Sequence, residues 1–132
     1  MGRYSPTVVD HFTNPRNAGE LDDPDVRASI GNPVCGDQIM LTAYVDDGTI
    51  TAIRFRAHGC AAALAAASAI SEACHGATLA ELGTWDASRV DSLLGGLAPD
   101  QRHVAALGGH VVSRLVSNHR EGVNDDAPLV CS

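Results

Sequence analysis

The sequence predicts an α+β domain, a small antiparallel sheet with helices packed on it. Two observations carry that reading. Two strand-like segments joined by an Asp-Gly turn come first, and after residue 60 the apolar period changes from two to 3.6. The 132-residue length suits one domain. We expect it to span residues 1–120, with residues 121–132 a flexible tail.

The elements follow in order. Ser5 caps a first helix to Thr13, Pro6 takes its first position, and Val8, Val9 and Phe12 form its apolar stripe. Asn14-Pro15 stops it, because a residue before proline avoids the helical region. Residues 17–25, with Gly, Pro and four acids, read as a loop. Arg27–Gly31 is a weak strand, while Ile39–Val45 and Ile50–Arg56 are strong ones. The second of these alternates Ile53 and Phe55 with Arg54 and Arg56. Asp46-Asp47-Gly48-Thr49 between them is a hairpin signal.

Ala61–Cys74 has the highest helix propensity of the chain, and Gly76 sits where a C-terminal cap belongs. Short helices are expected at Thr78–Leu82 and Ala87–Leu94. A long one is expected over Gln101–Arg120, with Val104, Leu107, Val111 and Leu115 on one stripe and Asp100 as its cap. Gly108-Gly109 inside it costs about 1 kcal/mol per residue relative to Ala.

Composition excludes several classes of function. Nine Arg, no Lys and sixteen acids give a net charge of −7, with the arginines scattered singly, which argues against a nucleic-acid partner. The longest apolar run, Cys60–Ala67, has eight residues against the roughly 20 a bilayer span requires. No membrane association and no signal peptide are expected, which points to the cytoplasm. Four Cys in such a chain read as thiols or metal ligands rather than disulfides. There is no helical His-Glu-x-x-His and no Gly-x-Ser-x-Gly, so nothing suggests a hydrolase, and a binding and transfer protein rather than an enzyme is expected.

The chemistry concentrates at junctions between elements. Cys35 and Asp37 lie in the turn before a strand, Cys60 between a strand and a helix, and His103 in the first turn of the last helix. A thiol at a helix N-terminus feels the positive end of the macrodipole, which favours thiolate. Thiolate with imidazole selects zinc, copper or iron–sulfur clusters over magnesium or calcium. By spacing alone the set is much weaker than paired C-x-x-C, and a buried cysteine acting as a small hydrophobe is the competing reading. Cys74, four helical turns or roughly 21 Å beyond Cys60, is excluded from such a site, and Cys131 falls in the tail. His11 is expected on the surface of the first helix, His58 beside the site, His75 in a last turn, and His110 and His119 outside it.

Three motifs add a resemblance. Tyr4-Ser5-Pro6 with Asp10-His11-Phe12-Thr13-Asn14-Pro15-Arg16-Asn17-Ala18-Gly19, Pro33-Val34-Cys35-Gly36-Asp37, and the segment Gly59–Ser68 resemble, in order, those of the iron–sulfur cluster assembly scaffold family, IscU and the N-terminal domain of NifU. The resemblance covers residues 4–120. It implies a SufE/NifU-like fold with a three-stranded sheet, and transient binding of an iron–sulfur cluster, 2Fe–2S, or of zinc, at Cys35, Asp37, Cys60 and His103. It also implies a cysteine desulfurase and apo iron–sulfur acceptor proteins as partners. Two departures stand out. The family's His-Cys pair at the start of the last helix is His103-Val104 here, and its Leu-Pro-Pro-Val-Lys segment is Leu97-Ala98-Pro99-Asp100-Gln101, which counts against docking of the specialised Hsp70 chaperone. Two alternatives remain: a sulfur-transfer component that takes persulfide on Cys35 or Cys60, and a degenerate zinc-binding paralogue that regulates assembly.

Overall fold

In the computed structural model, residues 4–32, 36–122 and 129–130 are described. Cys35 and Cys131 lie outside them. The order is α1 (Pro6–Thr13), β1 (Val26–Asn32), β2 (Asp37–Asp46), β3 (Thr49–His58), α2 (Ala61–Cys74), α3 (Leu79–Leu82), α4 (Ala87–Leu93), a 3-10 turn at Pro99–Gln101, α5 (Arg102–Glu121) and β4 (Leu129–Val130).

Strands β1, β2 and β3 form an antiparallel meander. The β2–β3 connection is the expected tight hairpin, and Asp47 and Gly48 both have positive φ (51° and 77°), as a two-residue turn matched to strand twist requires. Both strong strands run further than the apolar pattern indicated. The ladder continues through Gln38↔His58 because backbone pairing does not stop where hydrophobicity does. The two-residue β4 pairs in parallel with β1, giving the order β3-β2-β1-β4. It places Leu129–Val130, within the segment expected to fray, against the sheet edge.

The free edge of β3 is occupied by the chain's own loops. Phe55 donates to Asn17 O and accepts from Gly19 N, and Ile50 donates to Ala77 O and accepts from Gly76 N, all at 2.8–2.9 Å.

Helices α2 and α5 pack on the sheet, α2 mainly over β3 and α5 mainly over β1 and β2. Ile39, Leu41, Ile53 and Phe55 meet Leu107, Val111 and Leu115 in one core. The alanines of α2 explain its place. Ala62, Ala63, Ala65, Ala66, Ala67 and Ala69 are all buried, so small side chains let this helix approach its neighbours on several sides. The Gly108-Gly109 pair has the same logic. A Cβ on Gly108 would lie 2.8 Å from Ile70 Cδ1, and one on Gly109 3.2 Å from the Ala87 backbone nitrogen.

Two expectations are corrected. The buried side of α1 carries Val8 and His11, whereas Val9 and Phe12 are 41% and 46% exposed. His11 is therefore inside, its Nδ1 2.8 Å from Ser68 Oγ and its Nε2 3.6 Å from a Glu72 carboxylate oxygen. Polar partners on α2 decide which face turns inward. The second correction concerns α5, whose N-cap is Gln101 after a 3-10 turn, with no side-chain capping bond, rather than Asp100. The other caps agree: Ser5 Oγ accepts from the Val8 amide, and the α2 C-terminus is followed by Gly76 at φ +83°.

Candidate metal centre

Three junctions converge at one end of the sheet. Asp37 opens β2, Cys60 is the N-cap of α2, and His103 is the second residue of α5. The antiparallel register pairs Gln38 with His58, which brings the end of β3 and the start of α2 alongside Asp37.

The carboxylate of Asp37 is the hub and is 2% exposed. Its Oδ1 accepts the Cys60 amide at 3.0 Å, and its Oδ2 lies 2.8 Å from His103 Nε2 and 3.8 Å from Cys60 Sγ. Cys60 makes no capping bond with its own side chain. Asp37, reaching across from the sheet, instead satisfies an amide at the N-terminus of α2, where the helix macrodipole favours a negative charge. Burying a carboxylate is costly without such partners. Here it is met by an amide and an imidazole.

This closeness depends on Gly59. A Cβ there would fall 1.9 Å from Asp37 Oδ1, and its φ of +127° is a conformation that side-chain-bearing residues rarely adopt.

One donor atom from each of Asp37, Cys60 and His103 lies within 4.8 Å of the other two. Sulfur, oxygen and nitrogen at that spacing fit a tetrahedral zinc or iron after small side-chain movements. Asp37 is buried, while Cys60 and His103 are half-buried, so the group is reachable from one side. Of the four residues expected to form the site, the structure thus brings together three. Cys35 lies outside the described residues, two positions before Asp37.

The remaining candidates sort themselves by burial. Cys74 is fully buried, and desolvation pushes its thiol pKa up to about 12. His58 is exposed and is not one of the clustered donors. It lines a cleft of about 270 Å³ with Phe12, Phe55 and Leu64. Val104, beside His103, is wholly buried in the core. Sequence reasoning missed the bond from the Cys60 amide to Asp37, for which Gly59-Cys60 at a strand–helix junction was the available signal.

The match to a known family profile spans nearly the whole chain: residues 3–125 fit the NifU-like N terminal domain. The chain belongs to that family. It is 38% identical over 116 residues to the iron-sulfur cluster assembly scaffold protein IscU 1 of Archaeoglobus fulgidus, covering 88% of this chain and 76% of that one. It is 36% identical over 126 residues to the IscU scaffold protein of Azotobacter vinelandii, covering 91% and 98%.

Solved structures show the same fold at lower identity. A scaffold protein for the SUF system from Fervidobacterium islandicum superposes with a TM-score of 0.70 at 18% identity, over 86% of this chain and 96% of that one. The N-terminal part of a NifU-like protein from Brucella abortus superposes with a TM-score of 0.61 at 23% identity, over 91% and 84%. The NifU-like sheet with packed helices is therefore the fold of this chain. Among the described residues no helix is long and apolar enough to cross a membrane.

Proposed function

We propose that this protein is an iron–sulfur cluster assembly scaffold that holds its cargo transiently at Cys35, Asp37, Cys60 and His103 and passes it to acceptor proteins. The observation that carries the reading is the Asp37 carboxylate held between the Cys60 amide and the His103 imidazole, with the Cys60 thiol beside it. Scaffold relatives at 36–38% identity over most of the chain support it. In this reading two thiolates, one carboxylate and one imidazole complete four-coordination. The hard oxygen of Asp37 is the weakest donor toward a soft cluster, which makes the cargo transferable. The cargo is a 2Fe–2S cluster, with zinc as the competing ion.

A cysteine desulfurase supplying sulfur and apo iron–sulfur proteins receiving clusters are the partners this reading requires. The protein acts in the cytoplasm as a carrier rather than as an enzyme. Its working unit is one domain over residues 1–120, to whose sheet Leu129–Val130 add a short edge strand.

Anaerobic reconstitution with ferrous iron, cysteine and a desulfurase tests it. The expected product shows charge-transfer absorption and acid-labile sulfide, and activates an apo-ferredoxin. Stoichiometric zinc without sulfide, unchanged by reconstitution, would overturn it. A zinc-binding regulatory paralogue is the second reading, favoured by one observation: the place next to His103 is taken by a fully buried valine rather than a thiolate.

A further inference from the structure

The cover of the β3 edge stops one rung short of the strand's end. Phe55 turns both of its backbone groups outward, to Asn17 O and Gly19 N. Alternation along the strand turns those of Ala57 the same way, while the backbone groups of Arg56 face Met40 on β2. The covering segment does not reach Ala57. At Gly19, with φ of +129°, the chain leaves the edge and crosses to the outer face of the sheet, where the Leu21 amide donates to Thr42 Oγ1 at 3.0 Å. Among the described residues no backbone bond from a loop meets Ala57.

This open rung forms one side of a single cleft of about 270 Å³. Phe12, Pro15, Phe55 and Leu64 supply its apolar walls, with Phe12 46% exposed. Arg56 and His58 stand on its rim, on the sheet face opposite Phe55, and among the described residues no carboxylate lines it. Arg56 is paired with Glu20 at 3.3 Å, but Glu20 is shared with Arg27, so one carboxylate serves two guanidiniums. Charges act over about 8 Å at physiological salt, so this local excess of cations is what a docked segment meets, rather than the chain's total of −7. The cleft also adjoins the metal centre. Ala57 precedes Cys60 by three residues, and Leu64 follows it by four, about one turn of α2.

We propose that this cleft docks an extended segment of a partner polypeptide, which pairs with Ala57 as an added strand, seats one leucine-sized side chain among Phe12, Phe55 and Leu64, and sets a carboxylate toward Arg56. Three features of the one cleft select that occupant. A free donor and acceptor on an edge strand take another backbone. The apolar walls take its side chain. Because successive side chains of a strand point to opposite faces, the residue next to the apolar one meets Arg56 and His58, where a carboxylate is favoured. A second copy of this chain paired symmetrically at Ala57 would instead bring two cationic rims together. The cleft is present whatever the Asp37 group holds; that a docked segment brings its partner to the cargo rests on the scaffold reading.

An acetylated six-residue peptide of threonine and valine with a central leucine–glutamate pair is titrated into the isotope-labelled full chain, followed by nuclear magnetic resonance. Zinc-loaded and metal-free chains are both used, so that a failure of the cargo reading is told from a failure of docking. Amide shifts should saturate at Phe55, Ala57 and Leu64, and hydrogen exchange at the Ala57 amide should slow. Replacing the peptide's leucine by glycine should weaken binding about tenfold or more, and Phe12→Ser in the protein about threefold. Phe12 is an exposed side chain, and unchanged circular dichroism establishes that the fold persists. Methylating the peptide nitrogens singly separates an added strand from apolar adhesion, because neighbouring N–H groups point to opposite sides. Of the leucine and glutamate nitrogens, one should tolerate a methyl and the other should lose about fivefold or more in affinity. Equal effects at both nitrogens, saturation without a shift at Ala57, or no saturable shift at all would overturn the proposal. Equal binding of a peptide with lysine in place of glutamate would overturn the choice of an acidic segment. Concentration-dependent shifts at Ala57 without peptide would overturn it in favour of a second copy.

Discussion

The carboxylate of Asp37 reaches from the first residue of a strand to the first turn of a distant helix, where its Oδ2 lies 2.8 Å from His103 Nε2. Its other oxygen holds the Cys60 amide, so one side chain ties β2, α2 and α5 together at their ends. On the function proposed above, structure and cargo binding would compete for the same carboxylate, because an Asp37 turned to a metal would give up at least part of this clasp.

Replacing Asp37 with alanine should consequently act on both sides of that competition. Losing a cap-like acceptor and leaving the Cys60 amide without its partner should cost about 1–3 kcal/mol of stability. Zinc affinity should fall about tenfold or more. Urea unfolding and chelator competition measure the two effects, and wild-type values in both would refute the hub role.

Gly59→Ala should reproduce the metal defect without removing a donor group. The added methyl would occupy the place of Asp37 Oδ1, 1.9 Å away, in a backbone conformation alanine resists. The expected penalty of strain and displacement is about 1–3 kcal/mol, read from the urea midpoint alongside zinc affinity.

The two described cysteines should differ sharply in reactivity. Cys60 is half-buried at the surface of the site, whereas Cys74 is fully buried with its pKa pushed up to about 12. Under native conditions at pH 8, iodoacetamide should modify Cys60 and spare Cys74, and both should react in urea. Peptide mapping by mass spectrometry resolves the sites. Early labelling of Cys74 would mean that α2 is not packed as described.

Acid should weaken the fold through His11. Burial, followed by the charge of Arg16, lowers its pKa below the ordinary value of 6.5, outweighing Glu72 and Asp10. The unfolded chain then binds the proton more readily, so the His11 contribution is fully present above about pH 6.5 and is lost as pH falls below it. Urea midpoints between pH 7.5 and 5.5 should show this slope, and His11→Gln should flatten it. An unchanged slope would place the acid sensitivity elsewhere.

For Gly108→Ala two effects oppose each other. Helix propensity gains about 1 kcal/mol, but the new methyl meets Ile70 Cδ1 at 2.8 Å and Val90 at 3.0 Å, and overpacking costs about 1–3 kcal/mol. The sum should be a destabilisation of up to about 2 kcal/mol in urea unfolding, and a more stable variant would mean that α2 and α4 yield easily.

Much of this was legible in the chain. The hairpin at Asp47-Gly48, the change of period after residue 60 and the caps at Ser5 and Gly76 are local signals, and local physics decided them. Asp37, Cys60 and His103 could be placed at junctions, yet their meeting depends on register and helix packing, which no local pattern encodes. Helix α1 shows the limit most clearly. An apolar stripe of Val8, Val9 and Phe12 reads well, but Ser68 and Glu72, more than fifty residues away, offer His11 better terms inside. Likewise Gly59-Cys60 at a strand–helix junction hints at a close approach, but only the fold shows that Asp37 reaches across to the Cys60 amide and leaves no room for a side chain at residue 59.

The loops that bond to Phe55 and Ile50 bear on how the protein behaves when crowded. An outer strand already bonded to its own chain offers a neighbouring molecule few open rungs on which to begin a shared ladder. At the opposite margin Leu129–Val130 occupies two rungs of β1 in the same manner. Growth of fibrils by strand addition would have to peel these segments away first. Colloidal stability in this small protein is thus written partly into backbone segments that take no part in binding cargo.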